Sequence, residues 1–335
     1  MKKTVFLFLF VLLSAMALVP VLFTMVFHDS NSKEWQPEEE IELQTDPYKN
    51  IPVKIYRSAL NTVEVYPLEE YVRGVVAAEM PIEFEKEALK AQAIAARTYI
   101  INRILDKNAT DVPEGAIVTD TVKHQVFLSE KELKQMWGLQ FSEQMSKLNE
   151  AVNETSGQVI TYQGKPITAF YFSTSNGYTE NSEDYWGKKV PYLKSVPSPW
   201  DVESPKYEKT ISIPFKALET KLQVDTGVSV SSGKEWIKVL ERTQGQRIKK
   251  IQVGEKVFSG REMRELLQLP STSITWEIQK DSISFKTKGY GHGVGMSQYG
   301  ANGMAKEGKT AREIIQYYYT GVELTKIDNW IKRSF

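Results

Sequence analysis

At 335 residues with 41% hydrophobic content, the chain can bury one sizeable core and a second small one. Lys+Arg and Asp+Glu balance at 42 each, so no net field favours nucleic acid or an anionic surface. There is no cysteine, which excludes a disulfide framework and any thiolate metal centre.

The chain opens "MKKTVFLFLFVLLSAMALVPVLFTMVFHDS". Residues 4–27 carry no charge, and as a helix they would span roughly 36 Å, enough for a bilayer core. Ala15-Met16-Ala17 offers a cleavable-signal site, but the uncharged run continues to Phe27, so a retained transmembrane anchor is the better reading. Lys2 and Lys3 then leave residues 1–3 in the cytoplasm, and the acidic stretch 28–50 becomes an outer tether. Residues 51–335 are expected to form one extracytoplasmic domain.

"VKIYR" and "TVEVY" alternate like strands, with "SALN" as the turn between them. "PLEEYVRGVVAAEM" reads as a helix with proline at its first position and acids in its first turn. Pro81 favours an extended Met80, which ends this helix and leaves Glu79 in its last turn, where a carboxylate opposes the helix dipole. "FEKEALKAQAIAARTYIINRILD" is the strongest helix, its alanines suited to close approach. Arg97 shares a face with Ile94 and Ile101, so it is expected to project into the protein and not into water. A further helical segment covers Glu130 to Glu154, broken near "WGLQ". "GQVITY" and "ITAFYFS" flank "QGKP" as a hairpin. Between residues 205 and 273 the texture becomes that of an ordinary solvated surface, as in a small inserted subdomain. The expected fold is α+β: a helix pair packed near a mixed or antiparallel sheet.

Three segments carry concentrated chemistry: Glu79 with the following helix, "FYFSTSNGYTENSEDYWG" (170–187), and "GYGHGVGMSQYG" (289–300). The last has glycines but neither phosphate-loop nor dinucleotide spacing, so its alternating glycines suggest backbone in close approach to another segment or a ligand. His292 would be exposed by its small neighbours. With only His28, His124 and His292, a zinc site is disfavoured, even one completed by Asp120 or Glu180. Ser173, Ser175 and Ser297 sit in no nucleophile elbow. Ser173 and Ser175, beside Asn176, suit a polyhydroxylated ligand. A carboxylic acid remains. Ordinary glycosidases need two carboxylates, but one suffices where the substrate supplies its own nucleophile, as muramic acid does with its 6-hydroxyl. Glu79 beside Val75, Val76 and Ala78 would be kept protonated by desolvation.

Five ordered blocks, "VVAAEMP", "EALKAQAIAARTYI", "TDTVKHQVF", "FYFSTSNGYTENSEDYWG" and "GYGHGVGMSQYGA", resemble the sporulation family of lytic transglycosylases of Bacillus-type bacteria. The resemblance implies cleavage between N-acetylmuramic acid and N-acetylglucosamine, leaving 1,6-anhydromuramic ends, with Glu79 as acid and base. It implies Arg97 as the group that orients or discharges Glu79. Tyr171, Ser173, Ser175, Asn176, Tyr178, His292, Gln298 and Tyr299 are implied as glycan contacts. The implied setting is forespore engulfment, with a wall amidase and a multi-spanning membrane scaffold as partners. Lysozyme-like transglycosylases place Ser after the catalytic Glu; here Met80 follows, so their fold is not borrowed. Where clostridial relatives carry His and Cys near the Phe170 block, this chain has Ser, Asn and Tyr, so no metal or cofactor is carried across. The rival function is a wall-binding scaffold, which would use the same polar loops but would not need Glu79.

Overall fold

The computed structural model describes Tyr48 and residues 51–106, 111–113, 115–226 and 236–331. The expected anchor at 4–27 lies outside these residues; among those described, no helix is long and apolar enough to cross a membrane.

β1 (Pro52–Arg57) and β2 (Thr62–Pro67) pair antiparallel around Asn61, whose φ of 52° makes the turn. Pro67 caps α1 (Leu68–Glu79) from outside, one position earlier than expected. α2 (Lys86–Leu105) is the central helix: nearly every residue from Ala88 to Ile101 is buried. Such a helix shows no polar face because α1 and the later helices surround it. Each fully buried Leu or Ile, such as Leu89 and Ile100, contributes roughly 2 kcal/mol by leaving water. β3 (Val118–Thr119) joins β1 in parallel. α3 (Glu130–Trp137) starts on a capping box at Ser129 and Glu132, and a 3₁₀ turn at Gly138–Gln140 leads into α4 (Phe141–Asn153). The break falls where "WGLQ" places it.

β4 (Gln158–Tyr162) turns at Gln163 and Gly164, both with positive φ, into β5 (Lys165–Pro166). The expected hairpin stops there. β6 (Tyr171–Phe172) leaves that sheet and pairs in parallel with β13 (Met296–Ser297). A short α5 (Ser182–Trp186) and a 3₁₀ turn at Pro199–Glu203 follow β6.

A second apolar cluster, built around Ile213, Leu218, Ile251, Met263 and Phe285, belongs to the next stretch of chain. It comprises β7 (Glu208–Pro214), α6 (Phe215–Leu222), β8 (Ile237–Arg242), β9 (Ile248–Val253), β10 (Lys256–Ser259), α7 (Gly260–Leu267), β11 (Ser273–Ile278) and β12 (Ser282–Lys288). These elements form two three-stranded sheets, β10-β9-β8 and β11-β12-β7, and run past residue 273 to Lys288. The chain then returns to the main core through β13, α8 (Gln298–Lys306), α9 (Ala311–Tyr318), β14 (Glu323–Lys326) and α10 (Asp328–Ile331). The described fold is thus mixed α and β with several small sheets.

Candidate active site

Glu79 closes α1. Met80 leaves the helix extended (φ −117°, ψ 138°) while its N–H still bonds Val76 O at 2.9 Å, the geometry a following proline imposes. The loop between β3 and α3 crosses the helix beside the carboxylate, and Val126 N–H donates to Glu79 Oε1 at 3.0 Å. Gly74 permits the crossing, because a Cβ there would stand 2.3 Å from the Phe127 ring and 2.4 Å from Leu128 O. Phe127 lies flat on Tyr71, with ring centroids 5.6 Å apart.

Gln125, one residue before that donor, is buried and bridges two phenols. It accepts from Tyr71 Oη at 2.8 Å and donates to Tyr171 Oη at 3.0 Å. Burial, with the Glu79 charge adding to it, holds both phenols well above their ordinary range, so they remain neutral. Gln298, the first residue of α8, brings its amide to bear on the same carboxylate, although its nitrogen makes no hydrogen bond of ordinary geometry. Burial pushes the Glu79 carboxyl above its usual value; the Val126 N–H and the Gln298 amide oppose this without reversing it. None of the described groups that set its charge is a second carboxylate or a cation.

Tyr171 and Gln298 arrive from distant parts of the chain through the β6–β13 pair, which aligns Met296 with Tyr171 and Ser297 with Phe172. Asp201 ties this pair down. Fully buried, it accepts from Ser175 N at 2.7 Å, from Ser198 Oγ at 2.5 Å and from Ser297 Oγ, which also caps α8. The glycine loop lies along β6. Gly295, at φ 82°, leaves no room for a side chain, since a Cβ would stand 2.0 Å from Phe170 O. Its alternating glycines thus serve close approach to another chain segment.

Glu79, Tyr171 and Gln298 come together. Ser173 and Tyr299 follow Tyr171 and Gln298 closely in the chain and are joined to each other, Tyr299 N–H donating to Ser173 O at 3.1 Å. Arg97 does not join them. It is wholly buried and paired with Glu69, Nε to Oε1 at 2.8 Å and Nη2 to Oε2 at 2.5 Å. The expectation that it points into the protein holds, but the partner is not Glu79. Ser175 is also spent on the fold, its hydroxyl donating to Ser198 O at 3.2 Å. Asn176 donates to Gly245 O at 3.0 Å, and Tyr178 is exposed. His292 is not laid open by its glycines. Phe170, Phe172, Tyr185 and Trp186 surround its ring at centroid distances of 5.3–6.1 Å. Burial, then the Arg264 and Arg247 charges, lower it to about 3, so it is neutral at physiological pH. Tyr71, Gln125 and Val126 were not singled out from the sequence. Tyr71 carried a signal, since it precedes Glu79 by eight residues on one helix face.

The family model described as Stage II sporulation protein matches residues 56–162. Over 333 residues the chain is 42% identical to Stage II sporulation protein D of Bacillus subtilis (strain 168), covering 96% of each. It is 44% identical over 285 residues to Stage II sporulation protein D of Bacillus amyloliquefaciens, covering 84% of this chain and 81% of that one. It is 31% identical over 307 residues to the Amidase enhancer of Bacillus subtilis (strain 168), covering 76% of this chain and 40% of that one.

Proposed function

The chain belongs to the stage II sporulation protein D family, and from that premise we propose that it is a peptidoglycan lytic transglycosylase whose single acid and base is Glu79. The observation that carries this reading is the isolation of Glu79: a desolvated carboxyl, raised above its usual range, among neutral donors and, among the described residues, without a second carboxylate acting on it. A hydrolase would need that second group. Protonated Glu79 gives its proton to the glycosidic oxygen of the leaving N-acetylglucosamine as the C1–O bond of N-acetylmuramic acid breaks. The carboxylate left behind takes the proton of the muramic 6-hydroxyl as that oxygen bonds to C1. No water is consumed, and Glu79 ends protonated. Tyr71, Tyr171, Gln125 and Gln298 supply fixed dipoles around the reacting oxygens.

In this reading the domain faces the septal wall from a single-pass anchor with a cytoplasmic N-terminus. It works during engulfment beside a wall amidase and a multi-spanning scaffold protein. The likeness to an amidase enhancer supports a second reading, in which the chain holds glycan and promotes a partner's cleavage without cutting.

The test incubates the full chain and its Glu79→Gln variant with purified glycan strands and reads products by mass spectrometry. Ends lighter than hydrolysed ends by one water, lost in the variant, are the expected result. Hydrated ends would sink the single-acid mechanism, and binding without cleavage would favour the second reading.

A further inference from the structure

His124 stands two residues before Val126, whose N–H holds Glu79. Its Nδ1 accepts from Thr119 N at 3.2 Å and lies 2.8 Å from Thr119 Oγ1; its Nε2 lies 3.0 Å from Asp111 Oδ2. A backbone N–H can only donate, so Nδ1 carries the lone pair and Nε2 carries the proton given to Asp111. Asp111 Oδ1 is held by Arg103 Nη2 of α2 at 2.8 Å, and the same nitrogen donates to Ile117 O at 2.9 Å. The imidazole side chain is 1% exposed. It therefore links α2 to β3 and sets the point at which the chain turns toward the carboxylate.

We propose that His124 is a positioning residue for Glu79: its ring, bonded to Thr119 and Asp111, sets the path of the loop that brings Gln125 to the two phenols and Val126 N–H to the carboxylate. Phe127 on Tyr71 anchors the loop beyond Val126, and the Gln125 amide, bonded to the two phenols, anchors it just before; His124 fixes the stretch that leads into both. With His124 and Gln125 fixed before the donor and Phe127 after it, the Val126 N–H has one direction to point. The charged groups that face the imidazole are Asp111, Arg103 and Lys123. Its consequence for catalysis rests on the reading of Glu79 as the reacting acid; the link between His124 and the carboxylate does not.

The experiment titrates the Glu79 side-chain carboxyl by carbon NMR on the full chain in detergent micelles, with glutamate carrying a labelled carboxyl and Glu79→Gln used for assignment. The bond from Val126 N–H favours the charged form, so loosening the loop must move the Glu79 midpoint to higher pH. His124→Leu and the milder Thr119→Val are both expected to show that upward shift. His124→Asn, which keeps an acceptor near the Nδ1 position, is expected to restore the midpoint. Cleavage in the same samples should lose about tenfold or more in kcat with KM kept, as a misdirected acid would. A folded His124→Leu protein with the wild-type midpoint overturns the proposal, and if that variant does not fold, an unchanged midpoint in Thr119→Val overturns it. A shifted midpoint with unchanged cleavage supports the positioning role and instead overturns the assignment of Glu79 as the reacting acid.

Discussion

If Arg97 serves the fold and not Glu79, deleting its partner should cost stability on the scale of a broken buried ion pair. The Arg97 side chain is 0% exposed and that of Glu69 is 4% exposed. Glu69→Ala removes both carboxylate bonds and the acceptor that Gly157 N–H uses at 3.2 Å. Arg97 would keep Gln158 O at 3.2 Å and two carbonyl contacts at 3.5 Å. Carbonyl dipoles do not neutralise a buried cation, so the loss is expected at roughly 3–5 kcal/mol. With a urea slope of about 3 kcal/mol per molar, the midpoint falls by about 1 M or more. Glu69→Leu combined with Arg97→Met removes the desolvation cost together with the attraction, and should recover the loss except for about 1–3 kcal/mol from the Gly157 N–H left without its acceptor. Urea unfolding of Glu69→Leu, Arg97→Met and the double gives the coupling directly. A cost below about 1 kcal/mol for Glu69→Ala would refute a structural role for the pair. A double variant that is stable yet no longer cleaves glycan would return Arg97 to the active site.

Glu79→Gln should stabilise the domain at neutral pH while abolishing cleavage. A folded-state value raised above the unfolded one means that wild type loses stability as pH rises through the carboxylate range, and thermal melts at several pH values should show that loss absent in the variant. His292, lowered to about 3, binds its proton in the unfolded chain first, so its share of stability is present above about pH 6.5 and is lost as pH falls towards 3; proton NMR should find its ring untitrated between pH 5 and 8. Gly295→Ala places a Cβ against Phe170 O at φ 82° and should cost about 2 kcal/mol or more in denaturant unfolding. Gln125→Leu strands two buried phenol hydroxyls, at a cost of about 1–3 kcal/mol, and should depress kcat more than it raises KM.

What was legible in the sequence was local. Pro81 announced the end of α1 and so the place of Glu79, and "WGLQ" announced the break between α3 and α4, because proline and glycine act on the backbone beside them. The exit of β6 from the expected hairpin was not legible. Its two residues pair with Met296 and Ser297, and no alternation can be read in a strand that short. Arg97 was rightly placed inside, but its partner stands 28 residues earlier on another helix, a choice made by packing. Tyr71 shares a helix face with Glu79, but its spacing alone does not give its hydroxyl a partner; the bond to Gln125, 54 residues on, does.

The smaller cluster of strands touches the main core through Gly245, Thr243 and Arg264, but the chain passes between the two only at its two ends. Glu208 and Lys288 are Cα partners across β7 and β12, and Gly289 N–H bonds Tyr207 O at 2.6 Å. Chain enters and leaves through neighbouring strand ends, so everything between them is topologically a cassette. It could lengthen, shrink or be spliced out for a tight turn without rethreading the core, since the departing and returning strands already meet. In descendants of this gene, length is therefore expected to drift between Tyr207 and Gly289, while the spacing from Glu79 to Tyr171 on one side and from Met296 onward on the other stays put.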